Sequence, residues 1–415
     1  MYNYDFKNGA LYIGNIAADD LIKQFGSPLY VYDEEIIKNR VESLINAIPY
    51  SPLRIHYAVK ANTNLHILKI FNSEGCYVDT VSPSEIEISL KAGFEPSKIL
   101  FTGVNLTEND MGFAMERGVM LNIGSLFTLE QYAKNHPNTE ISIRVNPDMG
   151  AGHHSHVITG GRDSKFGIFE SDFSRASDII KKYNLKLAGI HCHIGSGILE
   201  EKKFMEVMEI ILRMARNFDD IDFVDFGGGV GVAYRPEQPD FDLKLFGNEA
   251  SRLMENFSRE YGKKVALSLE PGRFLVAEAG FLLTSVTDKK HTPKFTFVGV
   301  NSGFNHLIRP MAYGSYHHIV NASRADGKLE DVVVAGYICE SGDVFTRDKE
   351  QPVARPVAEP QVGDTLAILT AGAYGYAMAS QYNSRPRPAE VLVGNGKARL
   401  IRRAETIDDI LSTTP

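Results

Sequence analysis

The feature that most constrains this chain is an alternation. From Pro28 onward, short apolar, β-prone runs take turns with longer amphipathic ones, and eight such runs end near Lys60, Asp79, Thr102, Ile123, Asn146, His193, Phe226 and Glu270. A strand followed by a helix, repeated, lays parallel strands side by side with helices outside them. Eight repeats suit a closed (β/α)8 TIM-like barrel over residues 30–278 better than an open doubly wound sheet, which usually opens with a Gly-rich turn after its first strand. Here that place holds Lys60-Ala61-Asn62. One helix start is explicit: Ser82-Pro83-Ser84-Glu85 sets serine at the N-cap, proline at the first helical position and glutamate three after the cap.

After about Gly280 the texture changes to β runs without long helices between them: 281–287, 294–300, 331–336 and 364–369. Glu390-Val391-Leu392-Val393 and Ala398-Arg399-Leu400-Ile401 are joined across Gly394-Asn395-Gly396-Lys397, a hairpin signal. We therefore expect a second, β domain of residues 1–29 and 279–415, a sandwich or barrel, with a short terminal helix over 407–411. Leu11-Tyr12-Ile13 is expected to join it, because termini often lie close together.

Composition narrows the ligand. Of the 415 residues 43% are hydrophobic and 23% charged, ordinary for a globular protein with a full core. The net charge of −8 and the lack of a Lys/Arg-rich block argue against nucleic acid or an anionic membrane, leaving a small molecule as the expected ligand. No apolar stretch approaches the roughly 18 residues of a membrane span, and Met1-Tyr2-Asn3-Tyr4-Asp5-Phe6 carries no basic leader. A cytoplasmic location is expected. Cys76, Cys192 and Cys339 are too scattered for a disulfide framework and are read as thiols.

In such a barrel reactive groups gather at the C-terminal ends of the strands, and the unusual residues fall there. Lys60 follows Arg54-Ile55-His56-Tyr57-Ala58-Val59. At the mouth of a buried strand desolvation would lower its pKa and make it an imine former, unless it merely snorkels to solvent. Gly227-Gly228-Gly229, after the seventh run, is either a flexible turn or an anion cradle built from backbone N–H groups. The sixth run delivers His191-Cys192-His193-Ile194-Gly195-Ser196-Gly197. Its two histidines could share one face of a strand and hold a divalent metal, as in hydrolases on this barrel, or one could pack on an aromatic cofactor ring. The companions of a metal site are missing from the other strand ends, so no metal is expected. Glu270-Pro271-Gly272-Arg273 offers a carboxylate for a ring nitrogen and an arginine for an anion, or a plain ion pair. A lysine, a phosphate cradle, a flat imidazole and an acid for a pyridine nitrogen together describe pyridoxal 5′-phosphate.

The chain resembles the diaminopimelate decarboxylases, in the alanine-racemase-like, fold-type III group of pyridoxal-phosphate decarboxylases. The resemblance runs from Tyr30-Val31-Tyr32 to Arg399-Leu400-Ile401-Arg402-Arg403. It rests on Tyr57-Ala58-Val59-Lys60-Ala61-Asn62, the His191–Gly197 run, Gly227-Gly228-Gly229 and Glu270-Pro271-Gly272-Arg273. More specific are Asn305-His306-Leu307-Ile308-Arg309-Pro310, Cys339-Glu340-Ser341-Gly342-Asp343 and Gly372-Ala373-Tyr374-Gly375. The resemblance implies that Lys60 forms the Schiff base, His193 stacks on the pyridine ring and Glu270 pairs with its nitrogen. Ser196, Gly228, Gly229, Gly272, Arg273 and Tyr374 would hold the phosphate region, and Asp79 and Arg144 would lie near the cofactor. Arg273, Arg309, Tyr313, Glu340 and Tyr374 match substrate positions, and Cys339 matches the thiol that returns a proton. Cys339 and Glu340 would reach a partner's site, which implies a homodimer.

The implied reaction is decarboxylation of meso-2,6-diaminopimelate to L-lysine and CO2, the last step of lysine biosynthesis. That substrate carries a second carboxylate and ammonium at its far end, and Arg309 with Glu340 supplies the opposite charges. The alternatives are a decarboxylase of ornithine, lysine or arginine, a racemase, a non-catalytic cofactor carrier and a metal-dependent hydrolase. Asn301 and His306 depart from the family by standing where aspartate is expected, and His153-His154-Ser155-His156 reads as a solvated or lid-like loop.

Overall fold

A computed structural model describes residues 5–149, 161, 163–348 and 351–415; the His153–His156 run lies outside them. The chain forms two compact units. One comprises Arg40–Val232 and Pro239–Phe274, the other Met1–Asn39, Ala233–Gln238 and Leu275–Pro415.

The first unit is a closed parallel barrel of β1 (Leu53–Ala58), β2 (Tyr77–Thr80), β3 (Ile99–Phe101), β4 (Met120–Ile123), β5 (Glu140–Asn146), β6 (Lys186–His191), β7 (Phe223–Asp225) and β8 (Ala266–Leu269). Each strand pairs in parallel with the next, and closure comes from β8 on β1, with Leu267 opposite Leu53 and Leu269 opposite Ile55. Every run end expected from the sequence falls within two residues of an observed strand end. The strands are covered by α1 (Leu65–Ser73), α2 (Pro83–Lys91), α3 (Glu108–Glu116), α4 (Leu126–Asn135), α5 (Phe173–Lys182), α6 (Glu201–Ala215) and α7 (Leu243–Tyr261). Short polar caps turn the chain from strand to helix. Asn64, Ser82, Ser125 and Asp242 each accept a backbone N–H of the first turn of α1, α2, α4 and α7. At α2 the expected glutamate reaches back one residue further than a capping box requires, to the N–H of Val81.

The second unit is built on a long strand, Gly280–His291. Its first half is flanked by Leu29–Asp33 on one side and Thr365–Ile368 on the other, both antiparallel; its second half pairs with Thr296–Val300. The expected hairpin is present as Ala389–Gly394 and Lys397–Arg402, with Gly394 opposite Lys397 and positive φ at Asn395 and Gly396. Leu11 and Ile13 lie in the same core as Leu29, Val31, Phe281, Leu283 and Val391. Among these strands Leu29–Asp33 departs from the expected layout. Counted by the sequence with the barrel, it instead pairs parallel to Ala389–Gly394 inside the second unit's sheet. All five of its residues are buried, and a strand covered on both faces shows no periodicity that says which sheet it joins.

Asn301 and His306 take structural bonds in this unit. The Asn301 side-chain oxygen accepts from Ser27 Oγ, Thr284 Oγ1 and the N–H of Ser285. The His306 ring lies within hydrogen-bonding distance of Ser302 Oγ and the carbonyl of Pro386.

The barrel unit also contains a close crossing that yields a prediction. A Cβ on Gly247, in the second turn of α7, would sit 1.8 Å from the carbonyl oxygen of Ala47. Alanine is the better helix former by about 1 kcal/mol, yet G247A should destabilise the protein by about 1–3 kcal/mol through overpacking. Urea unfolding of the two proteins measures the sign, and a stabilised variant would refute the crossing.

Candidate active site

β1 ends at Ala58, and a single 3-10 turn, Val59–Ala61, carries Lys60 beyond the sheet. Its Nζ donates to Asp79 Oδ2 of β2 at 3.0 Å. The expected desolvated amine is not what the structure shows. The Lys60 side chain is 39% exposed and ion-paired, whereas that of Asp79 is fully buried. Burial, reinforced by Glu270, pushes the Asp79 carboxyl up, and Lys60 opposes that shift.

Glu270 follows β8 directly and is held across the barrel by His191, the last residue of β6, with Nε2 3.0 Å from Oε2. Both side chains are buried. Burial drives the histidine well below its ordinary pKa, so the neutral ring donates its Nε2–H to the carboxylate. Burial also raises Glu270, to about 7, against the pull of Lys60 and Arg144. Its second oxygen, Oε1, is buried without a hydrogen-bond partner, the position a protonated ring nitrogen would satisfy. His191 was not singled out for this role, because its bond to Glu270 joins residues far apart in sequence.

His193 lies two residues past the end of β6, in the loop that follows, whereas His191 is the last residue of the strand, so the two do not share a strand face. Its Nδ1 accepts the N–H of Gly228 at 3.1 Å, which fixes the ring. Burial and the cations of Lys60 and Arg144 keep it neutral. The glycine loop is closely fitted: a Cβ on Gly228 would meet the Glu270 carbonyl oxygen at 2.2 Å, and Gly229 has φ +125° with the Gly195 carbonyl 2.8 Å from its Cβ position. Gly272 is less closely fitted, its Cβ position lying 3.0 Å from Ala61 Cβ and 3.1 Å from Ala58 Cβ. Arg273 donates to Ser196 Oγ from Nε at 3.2 Å and from a terminal nitrogen at 3.1 Å, bringing a guanidinium and a hydroxyl together as an anion site requires. The Glu270/Arg273 ion pair raised as an alternative is absent among the described contacts. Arg144, in β5, is buried with its guanidinium 4.4 Å from the centre of the Phe166 ring. Burial lowers its pKa, and Glu270 and Asp79 oppose that.

These residues fit pyridoxal phosphate on two observations: the partnerless Glu270 oxygen, and a glycine cradle that a single methyl would fill. One group of described residues has spacing for a metal, His56, Asp225 and Glu270, with ligand atoms within 4.8 Å of one another. It differs from the His191/His193 pair weighed in the sequence. Burial, with Glu270 beside it, raises the Asp225 carboxyl well above its ordinary range, and burial lowers His56 to about 3. Both His56 nitrogens and Asp225 Oδ2 are buried without a hydrogen-bond partner, and a cation there would have to displace the proton that burial keeps on Asp225.

The remaining sequence-picked residues belong to the second unit. Arg309 and Tyr313 open and close a short helix, Arg309–Tyr313, with Arg309 buried. Tyr374 has φ +57°, a conformation that a bulky side chain adopts only when its surroundings impose it. Cys339 and Glu340 are exposed, with the Cys339 N–H bonded to the Asn383 side chain. Cys339 is thus an exposed thiol, whereas Cys76 and Cys192 are buried.

Comparison with known proteins agrees with this architecture. Residues 34–277 match the family described as "Pyridoxal-dependent decarboxylase, pyridoxal binding domain". The diaminopimelate decarboxylase of Methanothermobacter thermautotrophicus is 44% identical over 413 residues, 97% of this chain and 95% of that protein. That of Escherichia coli K12 is 39% identical, with 96% of this chain and 97% of the relative covered. The crystal structure of diaminopimelate decarboxylase from Helicobacter pylori in complex with L-lysine superimposes with a TM-score of 0.86 at 32% identity, covering 95% of this chain and 98% of that one. With the barrel, the Lys60/Asp79 and Glu270/His191 pairs and agreement along almost the whole length, this chain belongs to the diaminopimelate decarboxylase family of pyridoxal-dependent decarboxylases.

Proposed function

We propose that the protein decarboxylates meso-2,6-diaminopimelate to L-lysine and CO2, with pyridoxal 5′-phosphate as cofactor. The observation that carries this reading is the 44% identity to a diaminopimelate decarboxylase over 97% of the chain. When bound, the cofactor supplies an electron-accepting pyridine ring that takes up the electron pair left by the departing carboxylate.

The chain's residues divide the work. Lys60 would hold the cofactor through Nζ, and Asp79, 3.0 Å away, would pair with that nitrogen when it stands free as an ammonium. Glu270, steadied by His191, would hold a proton at the ring nitrogen through Oε1. His193, its Nδ1 pinned by Gly228, would stack on the ring, and Arg144 would add positive potential near it. Ser196, Gly228, Gly229, Gly272, Arg273 and Tyr374 take the phosphate. On the second unit, Arg309 and Tyr313 receive the carboxylate at the substrate's far end and Glu340 its ammonium. Cys339 returns a proton from Sγ to the carbon that lost the carboxylate. The exposure of Cys339 and Glu340 on a single chain supports a homodimer in which they enter the partner's site. No helix among the described residues is long and apolar enough to cross a membrane. Ornithine, lysine and arginine, placed for decarboxylation with their one carboxylate at the reacting end, lack a distal carboxylate and then give Arg309 nothing to bind.

Release of CO2 from meso-diaminopimelate should require added cofactor, exceed release from ornithine, and fall on the order of a thousandfold or more in K60A. Undiminished turnover by K60A, or ornithine as the better substrate, would sink the proposal. A second outcome concerns Glu270 in the cofactor-free protein. Its folded pKa of about 7 lies above the ordinary 4.5, so the folded state holds a proton that the unfolded state releases between those values. Stability from this group is therefore present below pH 4.5 and lost as pH rises through 7. E270Q has no such term, and its stability relative to wild type should improve as pH rises from 4.5 to 8 in urea unfolding. A pH-independent difference would contradict the raised pKa.

A further inference from the structure

Arg309 is held by an unusual partner. A guanidinium nitrogen lies 2.9 Å from His317 Nε2. Arginine has only N–H groups to offer, so Nε2 must present its lone pair. On the other side of the ring Nδ1 lies 2.9 Å from the carbonyl oxygen of Leu369, which accepts only, so Nδ1 must carry the proton. The two bonds demand the same state independently: a neutral imidazole protonated at Nδ1. His317 is fully buried, and its own carbonyl receives a guanidinium N–H of Arg355 at 3.1 Å, a second cation that disfavours an imidazolium. The ring is anchored besides, because the N–H of Leu369 bonds the carbonyl of His318. A second nitrogen of Arg309 donates to Ser315 Oγ at 3.3 Å, and the guanidinium lies 4.7 Å from the centre of the Tyr234 ring, which meets His317 edge-on.

The chemical consequence lies in what kind of group does the holding. A carboxylate at position 317 would orient the guanidinium and also cancel its charge. A neutral imidazole orients it through one lone pair and leaves the positive charge to act on another group. We propose that His317 is a positioning residue that aims Arg309 at the distal carboxylate of the amino-acid ligand while leaving its charge intact. This rests on the reading above that Arg309 takes that carboxylate.

The test compares equilibrium binding of L-lysine and of 1,5-diaminopentane, the same carbon chain without the carboxylate, to the cofactor-loaded enzyme. The ratio of the two dissociation constants reports carboxylate recognition independently of turnover, and retained cofactor absorbance shows that each variant folds. H317Q keeps a neutral acceptor and should keep the wild-type preference for L-lysine. H317L loses the acceptor, and H317E keeps one but cancels the charge; each should reduce the preference by about tenfold or more. The KM for meso-diaminopimelate should rise in both with a smaller change in kcat. If R309A abolishes the preference while H317L and H317E retain it, the role of His317 is overturned. If R309A itself retains the preference, the assignment of Arg309 fails instead, and the two failures are told apart by that single variant.

Discussion

The barrel site depends on a carboxylate kept where water cannot reach it. Glu270 is buried at the end of β8, and an ionised acid in that position is tolerated only if something nearby supplies bonds or charge. His191 supplies one bond, Lys60 and Arg144 supply potential, and Asp225 beneath it avoids adding a second negative charge by keeping its proton. The oxygen left without a partner then has a strong preference for a cationic N–H donor. The ends of β6 and β8 come together because both strands flank β7 in the barrel.

Both units rely on uncharged histidines, each forced neutral by its surroundings. His191 donates to a carboxylate, His193 accepts a backbone N–H, and His317 accepts from a guanidinium while donating to a carbonyl. In each case a charged ring would either lose its acceptor function or face a nearby cation. These residues organise charge without carrying it, which leaves the formal charges on the groups that meet cofactor and substrate.

What could be read from the sequence followed from local rules. Strand ends were visible because apolar runs stop where polar or glycine residues begin, and the Ser82 cap and the Asn395-Gly396 turn because each needs only neighbouring residues. The roles of Lys60, Glu270 and the glycine loop could be expected because each sits at a strand terminus. The state of Lys60 could not, since its exposure and its bond to Asp79 depend on a short turn after β1. His56 and Asp225 gave no signal, and His191 gave none for its bond to Glu270, because their meaning lies in contacts between strands. His317 was hidden for the same reason: its partners Arg309 and Leu369 are both distant in sequence.

The position of Leu29–Asp33 bears on how the molecule is made. That strand precedes the barrel in the chain, yet its neighbours in the sheet, Gly280–His291 and Ala389–Gly394, are synthesised only after the entire barrel. The barrel, an uninterrupted run of local βα pairings apart from its closing contact, can fold while synthesis continues, whereas an early apolar strand must wait unpaired. Chaperone engagement during translation should therefore concentrate on this N-terminal segment, and truncation at the C-terminus should expose it again even where the barrel itself is intact.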